Sequence, residues 1–327
     1  MDKNTCDKDM VNDIAPNVEH TQVILLGDIS KKLTLLSQNP KPEIHLTFLD
    51  PPFNQDKDYA LHNDKMDDKE YWDWMKQICS FIYDITIEGG AIYFMQREKN
   101  AKEVLIALEE AGWIFQSLII WKKFTSAVPQ TIRYGKQYQI IVFATKGEKP
   151  RIFNRLRIDL PIEPHHKYER ENGLYATDLW TDIRELTSGF FAGEEALRDE
   201  KGERLHKQQS PLALLVRIIL SSTNVGNMIL DPFAGSGTTA IAAKQLNRNS
   251  INIEIDPKNV DLINKRLNEE LNGDNISVLR NYYRFTENLD EIWPSTDEQK
   301  LEEPQEPNKK MEEFLPEKEN KKKSNNK

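Results

Sequence analysis

Residues 228–240 read Met-Ile-Leu-Asp-Pro-Phe-Ala-Gly-Ser-Gly-Thr-Thr-Ala. A short apolar run ends at Asp231, a turn with Gly235 and Gly237 follows, and a helical pattern starts near Thr238. Strand, glycine turn and helix in this order form a nucleotide-binding unit, because glycines let the main chain approach a ligand closely. Glu254 closes the next apolar strand about 20 residues on, where a carboxylate can accept hydrogen bonds from ribose hydroxyls. A lone Gly-x-Gly would be an ordinary flexible turn; strand, helix and Glu254 together favour the ligand site. A Walker loop is excluded, since neither Gly-Lys-Thr nor Gly-Lys-Ser follows. Gly235-x-Gly237-x-x-Ala240 also satisfies the dinucleotide pattern, so an NAD-dependent oxidoreductase stays open at this point.

On either side of this unit, β-branched or aromatic runs alternate with helical patterns. Strands are predicted at 23–26, 44–49, 91–95, 115–121, 140–144, 228–230 and 251–255, mostly as near-continuous apolar runs of the kind covered on both faces of a sheet. Helices are predicted at 69–87, 99–111, 211–221, 238–247 and 257–271. This alternation predicts an α/β fold with a doubly wound, mostly parallel sheet.

The 327 residues suffice for a sizeable core. Cys6 and Cys79 lie far apart and form no CxxC pair, which argues against a disulfide framework or a cysteine zinc site and for a reducing compartment. The longest apolar stretch, 213–220, is broken by Arg217, and the first 18 residues lack the apolar centre of a signal peptide. A cytoplasmic protein with no membrane partner is expected. The balance of 44 basic and 53 acidic residues, −9, excludes a surface basic everywhere but permits a local basic groove.

The strand at 44–49 runs directly into Asp50-Pro51-Pro52-Phe53. Two prolines make that turn rigid, at the carboxyl end of a parallel strand, where open α/β sheets bind ligands. Alone, Asp-Pro-Pro is usually only a turn. Paired with Asp231-Pro-Phe-Ala-Gly-Ser-Gly237, it resembles the amino-group DNA methyltransferases, which use S-adenosylmethionine to modify exocyclic nitrogens of adenine or cytosine. The order, Asp-Pro-Pro-Phe first and the cofactor loop last, is similar to that family's beta arrangement, with the target-recognition region between the two. Gly27-Asp28, Gly89-Gly-Ala-Ile-Tyr93, Trp121-Lys122 and Phe143-Ala-Thr-Lys-Gly147 extend the resemblance across residues 21–271. Where the family usually has His-Pro-Thr-Gln-Lys-Pro, this chain reads His206-Lys-Gln-Gln-Ser-Pro211, keeping the histidine, Gln209 and the proline.

The resemblance implies a Rossmann-like methyltransferase fold with a small inserted recognition region. It divides the chain into a polar leader (1–20), a catalytic half (21–148), a target-recognition insert (149–205), a cofactor-binding half (206–292) and a charged tail (293–327), whose composition predicts disorder. An exocyclic amino nitrogen is a poor nucleophile because its lone pair is delocalised into the base. Two acceptors on its hydrogens, the Asp50 carboxylate and the Pro51 carbonyl, would favour a pyramidal nitrogen. Extruding the base costs a few kcal/mol, and Phe53 offers a stacking face that recovers about 1–3 kcal/mol. Pro52 completes the rigid turn, and no metal is required.

On the cofactor side the resemblance places Asp231, Pro232, Phe233, Ala234, Gly235, Ser236, Gly237 and Thr238 along the ligand, Glu254 at the ribose and Asp28 near the adenine, with His206 and Gln209 toward the methionine end. Asp28 reads equally well as a turn cap. Family members acting on cytosine N4 more often carry serine at the Asp50 position, so adenine N6 is expected and cytosine N4 is the alternative. The 149–205 stretch crowds Arg151, Arg155, Arg157, His165, His166, Lys167, Arg170 and Arg184 among aromatics, a composition suited to phosphates and bases. Double-stranded DNA is the expected partner. A cognate restriction endonuclease and a second copy of the chain are further expectations.

Overall fold

The computed structural model describes residues 20–38, 40–54, 58–59, 62–63, 65–125, 128, 130–159, 172–186, 195–198, 201–205, 208–269 and 271–295. The leader through residue 19, the tail from residue 296, and His165, His166, Lys167, Arg170 and His206 lie outside them.

In chain order the elements are β1 (Gln22–Leu26), α1 (Ile29–Leu36), β2 (Ile44–Leu49), β3 (Asp58–Tyr59), β4 (His62–Asn63), α2 (Asp68–Ile85), β5 (Thr86–Arg97), α3 (Ala101–Glu110), β6 (Ile114–Lys122), β7 (Tyr138–Thr145), β8 (Arg157–Ile158), β9 (Leu174–Tyr175), β10 (Leu179–Trp180), α4 (Leu212–Ser222), β11 (Met228–Asp231), α5 (Thr238–Gln245), β12 (Asn249–Glu254), α6 (Pro257–Asn268) and two short helices, α7 (Ser277–Arg280) and α8 (Leu289–Ile292). Eight strands form one sheet in the order β1-β12-β11-β2-β5-β7-β6-β10. All are parallel except β7, which runs antiparallel to both β5 and β6. The small ladders β3–β4 and β8–β9 stand apart.

Adjacent residues on the inner strands serve opposite faces, as the apolar runs require. Ile141 packs in the cluster with Leu214 and Ile218 of α4 and Ala242 of α5, whereas Val142 packs with Met75, Ile78 and Ile82 of α2. Each such side chain contributes about 1.5–3 kcal/mol through burial. Helix α1 falls in a stretch where no helix is predicted. Its start is capped by Asp28, whose carboxylate accepts the Lys31 N–H at 3.1 Å, and Ile29 and Leu33 bury its apolar side.

The described residues of 149–205 pack onto the central sheet and α4. Leu156, Ile158, Trp180 and Ile183 join the same core as α4, and β10 extends the sheet beside β6. A buried Arg217–Asp182 ion pair locks this stretch to α4, and the Tyr282 hydroxyl donates to the same carboxylate at 2.7 Å. Burial opposes the Asp182 charge, but the hydrogen bonds from Arg217 and Tyr282 hold its carboxyl below the usual range. The compact unit ends at Trp293. Arg248, fully buried, donates to the carbonyls of Thr223, Leu246 and Ile292, where α4, α5 and α8 end. Converging helix carboxyl ends favour a cation, while burial lowers this guanidinium to about 9.

Candidate active site

Strands β11 and β2 are neighbours, yet the chain leaves them in opposite directions, through α5 to β12 and through α2 to β5. That divergence opens a crevice beyond their carboxyl ends, the general location of ligand sites in open α/β sheets. Asp50 and Asp231 stand at those two ends. A cavity of about 720 Å³ occupies the crevice and is lined by Asp28, Asp50 to Phe53, Gln209, Asp231 to Ser236, Thr238 and Glu254, among others.

The glycine turn is held from below. Gly235 and Gly237 have φ of +52° and +81°, which side chains rarely adopt. A Cβ on Gly237 would also lie 2.6 Å from Ile263 Cγ1 of α6. Gly237 does not line the cavity; its part is the turn. Glu254 accepts the Gly235 N–H at 2.7 Å and the Asp256 N–H at 2.9 Å, so the predicted ribose acid also ties the turn to the end of β12. Burial raises its carboxyl, with these hydrogen bonds opposing.

Burial likewise pushes Asp231 up to about 6, against hydrogen bonds from Thr239 and the Phe233 N–H, and the nearby Glu254 adds repulsion. Two buried carboxylates in one cavity favour a ligand that brings positive charge and hydroxyl donors, and disfavour a pyrophosphate. The residues therefore fit a nucleoside that carries a positive charge, as a sulfonium does. Trp74 of α2, unnoticed in the sequence, lines this half and meets Phe233 edge to face with ring centroids 5.8 Å apart. Gln209 also lines the cavity, but its amide is spent on the fold: it donates to the Glu195 carbonyl at 2.8 Å and accepts the Leu197 N–H at 3.2 Å.

On the other half, Pro51 is buried and the Tyr71 hydroxyl donates to the carbonyl of Pro52, not Pro51, at 2.7 Å, with Gln96 donating to Tyr71 at 3.1 Å. Asn54, at φ +51°, bonds both the N–H and the carbonyl of Met66 through its side chain. Ser210 donates to Asp50 Oδ2 at 3.2 Å. It stands where the family pattern has lysine, a departure that marked the position without revealing this bond. Lys123 sits over the Trp121 ring in the same cavity. Burial brings its amine down to about 7, against the pull of Glu185 and Asp50. Only tertiary packing brings Lys123 and Glu185 to Asp50.

Of the basic residues of 149–205, the described Arg151, Arg155 and Arg157 stand away from the cavity. The Arg151 N–H donates to the carbonyl of Gly89, near the start of β5, which is the edge of the sheet opposite the cavity. Arg155 and Arg157 both stack on Tyr175, and Arg157 also approaches Glu287 at 3.8 Å. None of the three lines the cavity, because β7 runs downward and delivers the chain to the wrong edge. The chain returns through β10 beside β6, and Arg184, exposed, directly precedes the cavity-lining Glu185.

Residues 44–265 match a family of DNA methylases that groups the N6 and N4 enzymes. The chain is 30% identical over 253 residues to the Type II methyltransferase M.HpaI of Haemophilus parainfluenzae, covering 77% of this chain and 76% of that one. It is 28% identical over 259 residues to the DNA adenine methyltransferase YhdJ of Escherichia coli K12, covering 75% and 82%. The structure of the M1.HpyAVI–SAM complex superposes with a TM-score of 0.52 at 24% identity, over 76% of this chain and all of that one, a likeness of fold. A switch-point cavity with a glycine turn on one wall and Asp-Pro-Pro-Phe on the other, within a sequence that matches the family across both, has one reading: the chain belongs to the N6/N4 DNA methylase family.

Proposed function

We propose that this chain transfers a methyl group from S-adenosylmethionine to N6 of an adenine extruded from double-stranded DNA. The observation that carries the reading is the emergence of Asp50-Pro51-Pro52-Phe53 and the Asp231–Gly237 turn from adjacent parallel strands into one cavity. When bound, S-adenosylmethionine supplies an electrophilic methyl on a sulfonium. Asp231 would hold the cationic amino-acid end, Glu254 the ribose, and Phe233 with Trp74 the apolar wall.

Across the cavity, Phe53 would stack on the extruded base while Asp50 and the Pro51 carbonyl accept the two amino hydrogens. With S-adenosylmethionine bound, the nitrogen lone pair held free by Asp50 and Pro51 would attack its methyl, the N–C bond forming as the C–S bond breaks with its electrons left on sulfur. The surplus proton leaves the nitrogen toward the Asp50 carboxylate. Proximity and orientation supply much of the rate. Asp50 and the likeness to an enzyme named as an adenine methyltransferase support adenine over cytosine N4.

M.HpaI is named as a Type II enzyme, which supports a restriction endonuclease of the same site as a partner. A second copy of the chain would extend the small recognition surface. Incubation of phage λ DNA with methyl-labelled S-adenosylmethionine, followed by nucleoside mass analysis, tests the central reading. N6-methyladenine is expected; N4-methylcytosine would move the assignment, and an absence of methylated nucleoside would overturn it.

A further inference from the structure

Between residues 122 and 138 the chain carries Lys122, Lys123, Arg133 and Lys136 and neither aspartate nor glutamate, in a protein of net charge −9. This connection from β6 to β7 rises from the cavity itself, since Lys123 and Thr125 line it. Both stems are fixed. The N–H groups of Phe124 and Thr125 each donate to the Glu185 carboxylate at 2.8 Å, the Lys123 N–H donates to the Gln137 carbonyl at 2.8 Å, and Lys136 pairs with Glu98 at 3.0 Å. What the stems hold outward is apolar. Ile132 is 91% exposed and Tyr134 97%, with exposed Arg133 between them. Large apolar side chains offered so fully to water beside a ligand cavity mark a contact surface.

We propose that this connection is a wedge for the duplex. Tyr134 enters the stack where the target base has left, Ile132 packs against the neighbouring base, and Arg133 reaches the flanking phosphate. Apolar wedges that enter base steps next to cationic contacts are a general solution to holding distorted DNA. The inference rests on reading the cavity as the pocket for an extruded base. A second copy of the chain is the weaker occupant, because an isologous contact would set this acid-free connection, with Arg133 at its tip, against its own like charges.

The test uses full-length protein and two duplexes containing the site found by mapping methylated positions in λ DNA, one with adenine at the target for rates and one with 2-aminopurine there for fluorescence. Tyr134→Ala and the double variant Ile132→Ser/Tyr134→Ala should lose most of the fluorescence rise and methylate the paired duplex about tenfold or more slowly, the scale of one missing base–aromatic stack. S-adenosylmethionine affinity should hold, and Tyr134→Phe should keep the wild-type rate. When the target faces a mismatch, its extrusion is already cheaper, so the alanine variants should recover to within about twofold of wild type. Equal loss on paired and mismatched duplexes, or no loss on either, overturns the wedge. So does a change of oligomeric state in the ultracentrifuge with DNA rates unaltered, which would assign the surface to a second copy. Failure of wild-type protein to methylate the same DNA overturns the enzymatic reading itself and is seen separately.

Discussion

Arg266 Nη1 of α6 donates to the main-chain carbonyl of Ser236 at 2.5 Å, thirty residues earlier, so the glycine turn rests on a buried guanidinium. Asp274 accepts from the same group at 3.1 Å through Oδ2 and closes a buried ion pair through Oδ1. Removing one partner of such a pair leaves an uncompensated buried charge, at about 3–5 kcal/mol. Arg266→Met should therefore lower stability by that order in urea unfolding and weaken S-adenosylmethionine binding, since the turn loses its support. Stability lost with cofactor affinity intact would confine Arg266 to the fold.

Asp50→Ala should abolish methyl transfer while leaving S-adenosylmethionine affinity within a few fold, because Asp50 faces the acceptor half of the cavity. Calorimetry and labelled-methyl incorporation on the same preparation decide it. A comparable loss of cofactor affinity would place Asp50 on the donor side.

Glu254→Ala should act in reverse order, weakening cofactor binding first by about 1.5–3 kcal/mol for a lost hydrogen bond to a charged group. Part of that loss is indirect, since Glu254 also holds the Gly235 N–H. Glu254→Gln keeps one acceptor oxygen, so it should retain more affinity than the alanine variant.

The Asp231 carboxyl, raised by burial from 3.8 to about 6, carries a pH prediction. Because the folded chain holds this proton more tightly than the unfolded chain, Asp231's contribution to stability is largest below 3.8 and is lost as pH rises through about 6. Cofactor binding runs the other way. A cationic amino-acid end needs the carboxylate, so affinity should rise with pH up to about 6 and level off above it. Calorimetry between pH 5 and 8 should show that step, and Asp231→Asn should remove it. A flat wild-type profile would take Asp231 out of the site.

Replacing Arg151, Arg155 and Arg157 together by glutamine should leave the salt dependence of DNA binding nearly unchanged, since their edge of the sheet is opposite the cavity. Every phosphate that these arginines neutralise would account for roughly 0.9 of the log–log slope. A slope shallower by about two in the triple variant would show that DNA wraps to that edge.

The alternation of apolar runs and helical patterns determined the doubly wound sheet, and the spacing from Gly235 to Glu254 pointed to a nucleoside site, because both depend on residues near in sequence. The pairing of Asp-Pro-Pro-Phe with the glycine turn determined the family. Which strands are neighbours was decided by tertiary structure, which brought Asp50 and Asp231 to one crevice and added Trp74, Lys123, Glu185 and Ser210 from four separate segments. Composition marked Arg151, Arg155 and Arg157 as candidates for DNA contact, and the reversed direction of β7 puts the start of that stretch at the end of the sheet away from the cavity. Composition records how many charges a segment carries. The side of the sheet on which they emerge follows from strand direction, and the hydrogen-bond ladders with distant strands settle that direction.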